Sequence, residues 1–512
     1  MKALRLALVG ILLCSVVPAA AQETMDATTL RQHMITAEGK PPDSYVETIR
    51  ITTSNGERQN VREFHRDLDY RSTMGHGRFE GREWDHDANG LTTIHEPASG
   101  LERPDTWRVS IARVSKPFDS WKYDVLNTER TGTVEYVDPS TYRVLRKLDV
   151  THNGIIQTDY DDFRTIAGYT IPFHTHEDNG VNRLTSESQI VSFDVRPVTD
   201  DELAIPPSRQ FVTFPAGQTQ VELPSEFVDR QQVIILNGRP TQGEDLGVSA
   251  VLIHANVGDR GVDFVLDSGA SGIVIDENVV RELGLREFAQ QSQVTAGRYT
   301  AAAARVPVIQ IGGLEMHDVA VTSLPFSYDA DARHKAVGLL GYDFIRAVGL
   351  TIDYGRRKVI AMPAGTVTPP VMTPESDILP IRLGNHVPEV TAAINGSIAE
   401  RMVIDTGWQG DMGIFDFFSR RYPEAFSAKV AARQENAAAS GVGGHVQSEV
   451  YRLSNVDVGR YHFKQFDVTR VTSLRSYEQP VDGVIGVGIL RHFAVTFDYA
   501  GGKMYLVHNE GQ

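Results

Sequence analysis

Val262-Asp263-Phe264-Val265-Leu266-Asp267-Ser268-Gly269-Ala270-Ser271 decides the fold of this chain, because its pattern returns as Arg401-Met402-Val403-Ile404-Asp405-Thr406-Gly407-Trp408. In each stretch an apolar strand-like run ends on an aspartate. A small hydroxyl residue and a glycine follow, and the glycine permits a tight turn back toward the sheet. A second apolar run comes next, Ile273-Val274-Ile275 in one half and Ile414-Phe415 in the other. Short helices are then expected from Asp276 to Leu283 and from Asp416 to about Tyr422. Two such sites in one polypeptide suggest that each half supplies one carboxylate to a shared site.

Matched spacing extends the pairing. Asp267 and Asp405 are 138 positions apart, and so are Gly258 and Gly396. Downstream, Gly338-Leu339-Leu340-Gly341 leads to Arg346, Thr351, Asp353 and Tyr354. Gly483-Val484-Ile485-Gly486 leads to Arg491, Thr496, Asp498 and Tyr499, each offset by 145. A constant offset over several positions is the mark of a repeated structural unit.

Two carboxylates held within a few ångströms cannot comfortably both ionise, so one proton is shared and the pair titrates as a unit. The ionised member can take a proton from a water between them, and the protonated member can donate to a carbonyl oxygen. Water attack on an amide then needs neither metal nor covalent intermediate. Asp267 and Asp405 are therefore the candidate catalytic residues. Ser268, Gly269, Thr406 and Gly407 are expected to brace them, with each hydroxyl bonding backbone across the pair.

These residues resemble the aspartic proteases of the retropepsin and pepsin type over roughly 222–510. The resemblance rests on both triplets and on the two apolar-apolar-glycine elements ending at Gly341 and Gly486. It implies a bilobal, pseudo-twofold β-barrel unit, complete as a catalytic monomer like the bacterial single-chain members. It also implies a hairpin flap over the cleft, expected near Gln293 to Ala304, with Tyr299 near its tip, and at Ser440 to Gly444. Pepsin-like members often carry a hydroxyl just after the glycine, where this chain has Ala270 and Trp408. Losing that bond to the charged form should raise the pair's proton affinity. Activity is therefore expected at mildly acidic to near-neutral pH. Trp408 is also a candidate to narrow the cleft or fill a subsite.

The chain has 512 residues and a formal charge of −16. Residues 1–21 read as a secretory signal, with Lys2 and Arg5 before the apolar run Leu6 to Val17 and a small-residue site at Ala19-Ala20-Ala21. That run is shorter than a membrane span requires. Cys14, the one cysteine, lies within it, so the mature chain is expected to form no disulfide and no thiolate metal site. Periplasmic or secreted export is expected. The negative charge argues against nucleic acid as a partner. No transmembrane segment, cofactor or metal is expected, and the expected partner is a polypeptide substrate.

Residues 22–205 are β-patterned, behind a short amphipathic helix between Met25 and Ala37. Asn55-Gly56, Asn89-Gly90, Asn153-Gly154 and Asn179-Gly180 are hairpin signals. Tyr136 to Leu145 reads as strand, turn and strand. A curved antiparallel sheet is expected, and it resembles the half-barrel of outer-membrane lipoprotein carriers. Residues 206–222 are expected as a linker between this sheet and two lobes, 223–365 and 366–512.

Asp85-His86-Asp87-Ala88-Asn89-Gly90, with Glu96 beyond, has the spacing of a calcium-binding loop, but its surroundings read as a hairpin and Pro97 follows at once. His174 and His176 share a strand face without an identifiable third ligand. The function expected is an exported aspartic endopeptidase. The alternatives are a non-catalytic peptide-binding module on the same fold, or a lipid or peptide carrier acting through the N-terminal domain.

Overall fold

The computed structural model describes residues 25–54, 56, 58–95, 108–126, 132–151, 154–178, 185–236, 239–294, 298–329, 334–368, 371–384, 386–426, 439–441, 444–446, 448–471 and 481–509. Residues 1–21, read as a signal, lie outside them. Among the described residues the chain is mostly β, and no helix is long and apolar enough to cross a membrane.

The N-terminal sheet has thirteen described strands, all in antiparallel pairs. Six strands from Ser44–Thr53 to Thr92–His95 step outward to one edge. The chain resumes at the other edge with Arg108–Val114 and steps back until Thr185–Asp194 pairs with Ser44–Thr53. Asn55, Asn153 and the Asn179-Gly180 pair lie outside the described residues, but the flanking strands pair at Thr52↔Arg58, Thr151↔Gly154 and Asp178↔Thr185. The strand, turn and strand expected at 136–145 joins Val137 to Val144, with Asp138 accepting from the backbone of Ser140 and Thr141. The expected first helix spans Ala27–Glu38, capped by Asp26 Oδ1 accepting from Thr29 N at 2.8 Å. Leu30 and Met34 bury it against Trp121 and Val137. A short second helix, Asp200–Leu203, buries Leu203 with Val46 and Phe64. Alternation along the paired strands puts the two helices on opposite faces of the sheet.

The C-terminal part is built twice from the same pairings. Leu266 lies beside Leu340 in a parallel pair, and Ile404 beside Ile485 in another. Strand Ile273–Asp276 flanks the first pair and Met412–Phe415 the second, both antiparallel. The short helices expected after them span Glu277–Glu282 and Asp416–Arg421. A six-stranded sheet joins the halves through Val348–Asp353 and Phe493–Asp498, where Thr351 Oγ1 and Thr496 Oγ1 lie 2.8 Å apart.

Where 206–222 were expected as a linker, two short strands, Val212–Thr213 and Val221–Leu223, join these sheets. Phe211 and Val212 are buried, Val212 pairs with Met316, and Val221 pairs with Ala361. One continuous core runs beneath both lobes and includes Leu266, Leu340, Ile404 and Ile485. It also takes in Leu91 from the N-terminal sheet.

Candidate active site

Asp267 and Asp405 each stand one residue beyond a buried strand, Arg260–Leu266 and Ser397–Ile404, so burial of the strands fixes where the carboxyls emerge. Asp267 N donates to Leu340 O at 3.0 Å, and Asp405 N to Ile485 O at 2.9 Å. The apolar-apolar-glycine elements thus lie directly against the two loops.

The loops are tied to each other by their hydroxyls. Ser268 Oγ donates to Ile404 O at 2.7 Å and accepts from Thr406 N at 3.0 Å. Thr406 Oγ1 donates to Leu266 O at 2.8 Å and accepts from Ser268 N at 2.9 Å. Both hydroxyls are fully buried. The glycines that follow are required for close approach. A Cβ at Gly269 would sit 2.5 Å from Asp405 Cγ, and one at Gly407 would sit 2.6 Å from Asp267 Cγ. Each carboxyl therefore lies flat against the opposite loop, and the two are brought within hydrogen-bond reach of each other.

Asp267 Oδ1 accepts from Gly269 N at 2.9 Å. Asp405 Oδ1 accepts from Gly407 N at 2.8 Å and from Trp408 N at 3.0 Å. Where sequence reasoning looked for a side-chain hydroxyl after the glycine, backbone amides do the donating. Both carboxyls keep a partly exposed face, but protein crowds them on every other side. That desolvation, followed for Asp267 by the facing charge of Asp405, raises the proton affinity of the pair above the ordinary carboxylate range. Two carboxyls crowded in this way titrate as a unit.

Trp408 folds back into its own lobe, packed against the cluster of Val387, Val403, Phe415, Val471, Val481 and Val484. Its Cδ1 occupies the space that a Cβ at Gly486 would need, at 2.4 Å. The ring thus fills core space of its own lobe while staying partly buried. Of the expected flaps, Glu287–Val294 pairs with Arg298–Ile311, and Ala439–Gly441 pairs with Gly444–Val446, so each region is a hairpin. The tip residues 295–297, 442 and 443 lie outside the described residues.

Two further features were given no role at the site by the sequence, although Tyr354 and Tyr499 mark matched positions of its repeat. Tyr354 and Tyr499, one from each half, are almost fully buried near the carboxyls, and their hydroxyls have no hydrogen-bond partner among the described residues. Asp343, two residues after Gly341, accepts from Ile273 N at 3.3 Å and from Asn89 Nδ2 at 3.1 Å. The signal for Asp343 was present: the second half has Val487-Gly488 where the first has Tyr342-Asp343.

The calcium-like stretch Asp85 to Gly90 is a hairpin turn, with His86 paired to Thr92. Asp87 Oδ1 accepts from Asn89 N and Leu91 N, both at 2.8 Å, and Asn89 is consumed by the lobe beneath it. His174 and His176 sit on an interior strand and share Glu187, at 2.8 and 2.6 Å. Among the described residues the one carboxylate and histidine group of metal-binding dimensions is Glu47, Glu63 and His65. Burial alone would lower His65, but hydrogen bonds to Glu47 and Glu63 outweigh it and hold the imidazole up at about 9. Alternation places this trio on the sheet face that the first helix covers, together with Glu135 and Glu177. That face mixes these charged groups with apolar and aromatic ones, among them Trp121, Val137 and Tyr45.

No curated protein matches this chain. Among solved structures, it is similar to a LolA superfamily protein from Nitrosomonas europaea, at 12% identity and a TM-score of 0.27, over 35% of this chain and 98% of that one. It is also similar to a DUF1329 family protein from Desulfovibrio piger, at 10% identity and a TM-score of 0.26, over 35% and 94%. Residues 253–344, which hold Asp267, the Gly341 element and Asp343, match the model of a family described as aspartyl protease.

Proposed function

We propose that this protein is an exported aspartic endopeptidase in which Asp267 and Asp405 share one catalytic proton. The observation that carries this reading is the reciprocal brace: Ser268 and Thr406 each bond the backbone of the opposite half, and Gly269 and Gly407 each back onto the opposite carboxyl. A brace of this kind holds two carboxyls at fixed separation, which reaction geometry demands.

The steps follow from the shared proton. A water held between the carboxyls loses a proton to the ionised member as its oxygen attacks the peptide carbonyl carbon. The protonated member donates to the carbonyl oxygen, giving a neutral tetrahedral diol. Collapse of the diol breaks the C–N bond, and a proton passes to the departing amine nitrogen. The products are one carboxylic acid and one amine, and the pair again holds a single proton. The raised proton affinity of the pair carries the singly protonated state toward neutral pH, so activity is expected from mildly acidic to near-neutral conditions. The substrate is an unfolded or extended polypeptide, and the export reading rests on residues 1–21.

Cleavage of an unfolded protein by the mature chain across pH tests this. Asp267→Asn and Asp405→Asn should each lower turnover by on the order of 10³-fold or more while the chain stays folded. Retention of cleavage in either variant would remove the shared pair. A rate still rising below about pH 3, where an ordinary exposed carboxylate titrates, would contradict the raised proton affinity.

A further inference from the structure

We propose that Asn89, in the N-terminal domain, is a positioning residue for the Asp267 loop and acts through Asp343. This rests on the endopeptidase reading for its effect on turnover, but the contact geometry stands without it.

Asn89 is 2% exposed and its side chain is fully used. Its Oδ1 accepts from Ala320 N at 2.7 Å, and its Nδ2 donates to Ala320 O at 3.0 Å, so the amide mimics one rung of a strand ladder on the first lobe. The remaining Nδ2 hydrogen goes to Asp343 Oδ2 at 3.1 Å. The same Oδ2 accepts from Ile273 N at 3.3 Å, where the catalytic loop re-enters the sheet. It also stands 3.1 Å from the place a Cβ on Gly272 would take. One carboxyl oxygen thus bridges the N-terminal hairpin and the loop that begins at Asp267.

The neighbouring contacts run the same way. Tyr342 N donates to Ala270 O at 2.9 Å, inside the loop, while Tyr342 Oη meets Thr93 Oγ1 of the hairpin. Leu91, between these polar contacts, is buried in the core beneath the lobes. The hairpin therefore grips the two residues that follow Gly341, and both touch the catalytic loop.

The second lobe supplies an internal control. Val487 N donates to Trp408 O at 2.9 Å, the counterpart of the bond from Tyr342 to Ala270, so the backbone framework is the same. Its side chains are valine and glycine, Val487 and Gly488, where the first lobe has tyrosine and aspartate. In the second lobe the place beside Gly488 is taken by Asp411 of its own loop, whereas in the first lobe Tyr342 and Asp343 carry the polar groups and the N-terminal hairpin meets them.

The test uses the full mature chain. Amide hydrogen exchange of 267–273 and 405–411 is followed beside kcat and KM for an unfolded protein substrate, in Asn89→Ala, Asp343→Ala, Asp343→Asn and Ser208→Ala. Ser208 Oγ accepts from Thr92 N at 2.9 Å, so its loss cuts an adjoining contact of the hairpin without touching Asp343. Asn89→Ala and Asp343→Ala should speed exchange in 267–273, the Ile273 amide first, and leave 405–411 as in the wild type. They should lower kcat roughly tenfold or more, as slight misplacement of a reacting group does, at unchanged KM. Asp343→Asn, which keeps an oxygen for Ile273 and Asn89, should restore both readouts, and Ser208→Ala should change neither. Unchanged exchange of 267–273 in a folded Asn89→Ala chain would overturn the proposal, as would equal loosening of both loops. If Asn89→Ala does not fold, Asp343→Ala and its asparagine rescue decide the matter alone. A wild-type chain that cuts nothing would sink the endopeptidase reading, and the exchange arm would still judge the contact.

Discussion

Thr406 shows how much a single hydroxyl does here. It donates to Leu266 O and accepts from Ser268 N with no exposure to water. Thr406→Val keeps the shape and strands both backbone groups, each costing about 1–3 kcal/mol when buried without a partner. A loss of about 2–4 kcal/mol in denaturant unfolding is expected, with a larger fall in kcat than in KM. A midpoint equal to wild type would mean that the cross-brace contributes nothing. Tyr499 is the opposite case. Its hydroxyl is buried without a partner among the described residues, so Tyr499→Phe removes a desolvated group and breaks no bond. The variant should unfold at a denaturant concentration equal to or above that of wild type, and a clear drop would reveal a partner for the hydroxyl. The triplets at Asp267 and Asp405 were readable from sequence because the chemistry repeats there. The orphan hydroxyls were not, since a buried tyrosine with a partner and one without look alike in one dimension.

Strand Ser397–Ile404 carries Asp405 at its end and a charge in its middle. Arg401, 5% exposed, reaches Glu389 on strand Val387–Ile394 through two bonds, Nε to Oε2 at 2.8 Å and NH2 to Oε1 at 2.7 Å. Its backbone N also donates to Asp482 Oδ2 at 3.0 Å, which ties the strand to the segment entering Gly483. A bidentate pair at such depth holds the strand in one register, because a slip by one residue would bury each charge alone. Glu389→Gln removes one charge of this buried pair and should cost about 3–5 kcal/mol. The double change Glu389→Leu with Arg401→Met should recover most of that loss in the same denaturant titration. If the double variant is as unstable as the single, the cost lies in packing and the charge argument fails. Sequence reading placed this strand from its apolar run toward Asp405. It did not pair Arg401 with Glu389, because antiparallel register across the 395–396 turn decides which side chains face each other.

The two parts of the molecule were legible to different degrees. The halves around Asp267 and Asp405 could be laid out from their offsets, and some hairpins of the N-terminal sheet were marked by Asn-Gly pairs, but its thirteen described strands could not be counted that way. The junction of the two parts could not be laid out. Leu91, Asn89 and Thr93 sit in a stretch whose polar spacing imitates a calcium loop, and only the docked partner explains why Asn89 and Leu91 are buried. Residues 206–222 carried linker composition, yet Phe211 and Val212 are core residues because edge strands remain for them to pair with. The junction has its own pH dependence. Burial, then the charge of Asp87, raises Asp343 to about 8 from an unfolded value of 3.8. Asp87 Oδ2 is buried without another partner among the described residues, so a proton on Asp343 gives it one. Asn89 and the Ile273 amide face the same carboxyl and favour its charged form, but less strongly than burial and Asp87 oppose it. A group whose folded affinity for a proton exceeds its unfolded affinity gives its full stabilisation below about pH 4. That stabilisation drains away as pH rises toward 8, at up to about 1.4 kcal/mol per pH unit. Asp343→Asn has no proton to lose. Its stability minus that of wild type should therefore grow from about pH 5 to pH 8 in parallel denaturant titrations, and taking the difference cancels groups that titrate equally in both chains. A difference that stays flat over that range would show that Asp343 is ionised in the folded chain and that the junction is held without its proton.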